Sequence, residues 1–407
     1  VSMRQTGWQL RLDFSLFSVR QRPACGYSVL RKRRLSVTTI CPGRPTYPFL
    51  TISMQTKELM HATRRPTFDR SLAFILPLLL AFLLAAGCTE DEPIEKPEFP
   101  TADDMPTFSA RSAFSFVEAQ IAFGPRNPGS EGAMAALAYL KETLSNVADD
   151  VRTEEFSHVG YDGATYEMTN VIASFNPTAT TRILLCAHWD TRPRSDADRD
   201  PGDRDKPILG ANDGGSGVGV LLELARVMKE HPPEIGVDIV LFDGEDYGDS
   251  HVDGLDQYFL GAKHFAKSAP PSYRPAFGIL LDIVGDKEAV FRRERNSDKY
   301  ASRVVDRIWR AAAFLGLDRF RNEVGGAIDD DHIPLNRVAR IPTIDIIDID
   351  VVGGGSTNPR RNYWHTSDDT IENIGEETLG DVGRLLTYVV YRLVPHDLAA
   401  STEEVVQ

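Results

Sequence analysis

The chain has 407 residues, with 59 Asp/Glu against 45 Lys/Arg and a formal net charge of −14. That balance excludes the cationic footprint nucleic-acid binding needs, and it suits a soluble exported domain that mildly favours cationic substrates. Its four cysteines, Cys25, Cys41, Cys88 and Cys186, leave no pair for a disulfide framework, because two precede an export signal and Cys186 sits inside an apolar strand.

In chain order, the first 87 residues carry 13 Lys/Arg and only 3 Asp/Glu. Residues 1–59 alternate basic and apolar patches without a period. They read as an over-extended start, with translation beginning at Met54 or Met60, or as a disordered extension. From Met60, basic Arg64, Arg65 and Arg70 lead into an apolar run from Leu72 to Leu84, then Ala85-Ala86-Gly87-Cys88. The run is shorter than the ~20 residues of a spanning helix and Pro77 interrupts it, so residues 60–87 read as a signal peptide. Cysteine directly after Ala-Ala-Gly resembles the lipobox of bacterial lipoproteins. The resemblance implies a lipidated Cys88, membrane anchoring through its acyl chains, and export to the periplasm or cell surface. Residues 88–107, rich in Glu, Asp and Pro, read as a solvated tether.

Residues 108–396 alternate between two periodicities. Helical spacing predicts helices over Ser109–Phe123, Ser130–Val147, Ser216–Glu230, Ser297–Phe314 and Glu376–Leu393. Apolar runs predict strands over Thr169–Phe175, Arg182–Ala187, Val237–Phe242, Phe277–Ile283 and Thr343–Ile349. This alternation predicts a single α/β domain around a largely parallel central sheet, followed by a disordered tail over 397–407.

Six segments offer side chains that bind metals or move protons. Val237–Phe242 ends in Asp243-Gly244-Glu245-Asp246, where two adjacent carboxylates need a metal, a shared proton or hydrogen-bond donors. The expected division is Glu245 as proton carrier and Asp246 as metal ligand. His188 and Asp190, in Ala187-His188-Trp189-Asp190, have the spacing with which a carboxylate orients an imidazole beside a metal. Asp213 precedes a helix in Gly210-Ala211-Asn212-Asp213-Gly214-Gly215-Ser216-Gly217, as a ligand or as an ordinary cap. The phosphate-loop spacing is missing there. Asp282 interrupts an apolar strand, so it must be paired, protonated or metal-bound. Ile328-Asp329-Asp330-Asp331-His332 and Tyr363-Trp364-His365 complete the set, and together the loops indicate a zinc-type site. The aspartates from Asp196 to Asp205 are not an EF-hand, because Pro201 and Pro207 stand where it needs Gly and Glu.

These motifs in this order resemble the zinc aminopeptidase superfamily, and within it the animal-type glutaminyl cyclases and their bacterial relatives. The resemblance spans roughly residues 108–394. It implies a mixed, mostly parallel sheet flanked by helices, and one zinc held by Asp213, Asp246 and His365. Glu245 is then the general acid/base, Asp282 and Asp330 share a proton, and Trp364 walls the substrate pocket. The implied reaction turns the N-terminal glutamine of peptides into pyroglutamate with release of ammonia. Three departures stand out: Asp246 replaces the Glu of many relatives, Asp345 stands where the animal enzymes carry histidine, and Cys186 lacks the animal disulfide partner. The alternative is a two-zinc aminopeptidase, in which His188, Asp213 and Asp282 hold the second ion. A lipid-anchored binding protein on a degenerate hydrolase scaffold is a third reading, disfavoured because Glu245 and all three ligands are present.

Overall fold

A computed structural model of the protein describes residues 98–249, 254–354 and 356–399. The signal-peptide and Cys88 readings, and the tail from 400 onward, lie outside these residues. Among the described residues, no helix is long and apolar enough to cross a membrane.

The described residues open with helices α1 (Ala110–Ile121) and α2 (Glu131–Ser145), each capped by the serine before it: Ser109 accepts from Ser112 N and Ser130 from Ala133 N. Strands β1 (Asp150–Val159), β2 (Thr165–Phe175) and β3 (Arg182–His188) follow, then α3 (Gly215–Glu230), β4 (Gly236–Phe242), α4 (Leu260–Ser268) and β5 (Gly278–Asp282). A short strand β6 (Phe291–Arg293), α5 (Arg295–Phe314), β7 (Phe320–Val324), β8 (Thr343–Ile347) and α6 (Glu376–Tyr388) complete it.

Six strands form one mixed sheet in the order β1-β2-β4-β3-β5-β8, in which β4, β3, β5 and β8 run parallel. β1 and β2 close one edge antiparallel. Among the described residues, only β6 and β7 stand apart, as a parallel pair. Every residue of β4, β5 and β8 is buried, which is why these strands are continuous apolar runs. Val237, Ile239, Leu241, Ile279, Leu281, Ile344 and Ile346 face the larger core with α1, α2, α3 and α6. Leu184, Cys186, Val240, Phe242 and Leu280 face a smaller one with α4 and Leu335. From β3 the chain moves outward to β4 and then crosses back to place β5 on the other side of β3. The crevice lies where such a reversal opens the ends of parallel strands.

Two boundaries differ from expectation. Residues 98–107 are not a wholly solvated tether: Phe99 stacks on Phe314 at 5.5 Å, and the Arg307 guanidinium lies 4.3 Å from its ring centroid. Tyr388 Oη also donates to Pro100 O at 2.6 Å. A few apolar residues among acids and prolines were enough to dock the segment. Asp397, assigned to the tail, is ion-paired with Arg307.

Candidate metal centre and pocket

Most ligand-type side chains sit at the end of a parallel strand or just before a helix, and His365 comes from a turn after the short helical segment Pro359–Arg361. β3 ends on His188, β4 is followed by Glu245 and Asp246, and β5 ends on Asp282. Gly244 makes the first turn after β4, at φ +71°. A Cβ there would lie 2.6 Å from Met168 Sδ, so the position needs glycine for both reasons. Gly214, at φ +81°, lets the Asp213 loop pass beneath His188; a Cβ there would lie 2.9 Å from that ring's Cε1.

Asp213, Asp246 and His365 converge. His365 Nε2 lies 3.3 Å from Asp246 Oδ2 and 3.5 Å from Asp213 Oδ2, and all three residues are buried. A second set shares Asp213: His188 Nε2 lies 3.2 Å from Asp213 Oδ1 and 3.1 Å from Asp282 Oδ1. Either set gathers one imidazole nitrogen and two carboxylate oxygens within the reach of one ion. Asp246 Oδ1 accepts from Arg192 Nη1 at 2.6 Å, while Asp246 Oδ2 is buried without a hydrogen-bond partner. That orphaned oxygen, aimed at His365, fits a cation. Burial pushes the Asp246 carboxyl up, but His365 and Arg192 outweigh it and hold the group below the usual carboxylate range.

Three carboxylates brace this arrangement without facing the metal positions. Asp369 accepts from the backbone N–H groups of Asn212 at 2.8 Å and Asp213 at 3.0 Å. Asp190 accepts from Glu245 N at 3.0 Å and Asp246 N at 3.3 Å. Its tie to the imidazole, expected from the sequence spacing, is the weaker one: Oδ1 lies 3.4 Å from His188 Nδ1, which has no hydrogen-bond partner. Asp196 pairs with Arg192 on the side away from Asp246. Arg126 is also buried, donating to the carbonyls of Trp189, Leu209 and Gly210 at 2.8–2.9 Å and so tying the β3 loop to the Asp213 loop.

Beside these groups opens a cavity of about 450 Å³. Glu245, Asp282 and Asp330 lie on its floor, and Ile283, Trp364 and Leu255 are among its walls. Trp364 stacks on His365 with ring centroids 3.4 Å apart. Burial pushes the Glu245 carboxyl well above its ordinary range, and nearby His188 opposes that rise. Burial first, then the neighbouring Asp282, push Asp330 up as well. Ile283 (φ +48°) and His365 (φ +55°) hold left-handed backbone conformations, a strained state for a β-branched residue and one found at sites where side chains must be aimed.

The candidate residues read from the sequence thus gather in one place. Sequence reasoning missed Arg126, Arg192 and Asp369, which hold the ligands rather than present them. The available signals were slight: a Pro-Arg pair between two helices, an arginine two residues past Asp190, and the last acid of the Trp364 loop.

Residues 170–390 match Peptidase family M28. A Zn-dependent exopeptidase from Parabacteroides distasonis superposes with a TM-score of 0.67 at 43% identity, covering 70% of this chain and 99% of that one. Tannerella forsythia glutaminyl cyclase does so with a TM-score of 0.67 at 44% identity, again over 70% and 99%. The glutaminyl-peptide cyclotransferase of Bos taurus is 26% identical over 300 residues, 65% of this chain and 77% of its own. With its fold and its gathered acids in the same frame, the chain belongs to peptidase family M28.

Proposed function

We propose that this protein is a zinc-assisted glutaminyl cyclase acting on peptide N-termini. The observation that carries this reading is Asp330, buried on the floor of the same cavity as Glu245 and Asp282. A third acid there suits proton sharing with Asp282 better than the coordination of a second ion. Likeness to a cyclase at 44% identity supports the same choice.

Asp213, Asp246 and His365 would hold the zinc. When bound, it supplies Lewis-acid polarisation of the substrate's γ-amide carbonyl. The substrate's own α-amine is the nucleophile, already tethered to the carbon it attacks. Its nitrogen forms the new C–N bond while the bond to the amide nitrogen breaks. Glu245 takes the proton from the attacking amine and returns one to departing ammonia, a task that suits a carboxyl raised by burial. Asp282 and Asp330 hold one proton between them and steady the charge that develops above them. Trp364 gives the glutamine side chain an apolar wall.

A second reading, an aminopeptidase with two ions, is favoured by one observation: His188, Asp213 and Asp282 also converge. Zinc-loaded protein incubated with a Gln-initiated and a Leu-initiated peptide separates the two by mass spectrometry. The cyclase reading expects loss of ammonia from the first and no free leucine from the second. Released leucine overturns it.

A further inference from the structure

Tyr363 stands just before Trp364 and His365, is buried, and has no part in the proposed reaction. We propose that Tyr363 is a positioning residue, whose hydroxyl clamps the turn carrying His365 to the loop carrying Asp213 and so sets the gap between these two ligands.

The phenol sits between one acceptor and one donor. Tyr363 Oη donates to Asp286 Oδ2 at 2.7 Å and accepts from Asn212 Nδ2 at 2.8 Å. Burial first, then Asp286, push the phenol's pKa up, so it keeps its proton and the direction of both bonds is fixed. Asp286 is itself held in place: its Oδ1 accepts from Arg361 Nε at 3.0 Å and from Glu288 N at 2.8 Å. A hydroxyl bonded to a carboxylate is held more strongly than one bonded to a neutral group.

Asn212, next to Asp213, carries the connection further. Its Oδ1 accepts from Gly285 N, just beyond β5, at 2.7 Å. One buried amide thus joins the Asp213 loop, the end of β5 that carries Asp282, and the turn that carries His365. The turn is closed on itself, since Tyr363 O accepts from Thr366 N at 3.1 Å and from Thr366 Oγ1 at 2.6 Å. Asp369, at its far end, accepts from the N–H groups of Asn212 and Asp213. The Asp213 loop is therefore gripped by its backbone at Asp369 and by its Asn212 side chain at Tyr363, and both grips come from the segment that bears His365. Tyr363 and Asn212 are 151 residues apart in the chain, yet His365 Nε2 must stay 3.5 Å from Asp213 Oδ2 to share an ion with it. Phenylalanine would fill the same space but strand Asn212 Nδ2 and Asp286 Oδ2, which have no other hydrogen-bond partner among the described residues. The clamp rests on the assignment of Asp213 and His365 as metal ligands, but not on the cyclase reading.

The test is the zinc Kd of the full chain, measured by chelator competition without substrate. Tyr363→Phe should raise it about 10–100-fold, the usual consequence of removing the support behind a ligand. Tyr388→Phe is the matched control, because it also deletes the hydroxyl of a buried tyrosine, one that donates to Pro100 O at 2.6 Å. Its Kd should stay within experimental scatter of the parent. Asp286→Asn keeps the atoms but weakens the bond, so its Kd should lie between those of the parent and Tyr363→Phe; it decides the matter alone if Tyr363→Phe does not fold. Parent-like affinity in both Tyr363→Phe and Asp286→Asn overturns the proposal, and so does an equal rise in the two Tyr→Phe variants, which would report general loosening. A parent protein that binds no zinc overturns the ligand assignment and the clamp together. Failure to release ammonia in the two-peptide assay counts against the cyclase reading alone.

Discussion

Two groups of buried acids meet at the end of the parallel strands, and they are stabilised in different ways. Around Asp213 and Asp246, fixed hydrogen-bond partners do the work: Arg192 donates to one oxygen of Asp246, Asp369 accepts from the N–H of Asp213, and Asp190 accepts from those of Glu245 and Asp246. Under β5 and β8, the side-chain oxygens of Asp331 and Asp345 have no hydrogen-bond partner at all, and Asp330 has one unpartnered oxygen. The first group is preorganised, with one oxygen of Asp246 left for an ion. The second depends on protons.

The largest expected effect tests whether Glu245 stands between these groups as a proton carrier. Glu245→Gln keeps shape and hydrogen bonding but cannot exchange a proton, so kcat should fall by about 10²–10⁴. Zinc affinity, measured by titration, should stay within experimental scatter of the parent. A variant that loses zinc together with activity would put Glu245 among the ligands and erase the division. The next effect tests the preorganised side. Asp369→Ala strips the acceptor from two buried N–H groups, costing about 1–3 kcal/mol for each one left unsatisfied. Zinc affinity should fall about 10–100-fold, as it does when the support behind a ligand is removed. Unchanged affinity would mean that Asp213 is positioned without Asp369.

How much of this was legible in the sequence follows the same contrast. β3, β4, β5 and β8 are buried on both faces, so each announces itself as an apolar run, and the acids that end or follow them stand out. β1 is an edge strand that alternates exposed and half-buried residues, with several acids among them, and it left no such mark. β6 is only three residues long, and four of the five residues of β7 are exposed. The helix α4 was also missed; it is nine residues long, preceded by Phe259 in a left-handed conformation rather than by a capping side chain. Ligands could be named because metal-binding residue types are few. Their supports could not, because Arg126 meets carbonyls 63 to 84 residues away and Asp369 meets amides 156 and 157 residues away. No local pattern encodes such distances. The orphaned cluster around Asp345 was invisible for a related reason: whether an acid lacks a donor depends on everything packed around it.

Asp348 offers the smallest and sharpest check, since it lies just past β8 yet has a permanent cation. Arg361 donates to its Oδ2, and the same guanidinium donates through Nε to Asp286 Oδ1 at 3.0 Å. Burial still wins over that attraction and pushes the Asp348 carboxyl up to about 7, from 3.8 in the unfolded chain. A folded-state value above the unfolded one means that folding favours the protonated acid. The stabilising contribution is therefore complete below 3.8 and is lost as pH rises through about 7. Asp348→Asn removes this titration while keeping the shape. Relative to the variant, the parent protein should hold its largest advantage in urea midpoint near pH 4 and lose it progressively toward pH 8. If the difference is flat across that range, the Arg361 pair fully compensates Asp348, and a fixed cation is enough to settle an acid even on the donor-poor side of the sheet.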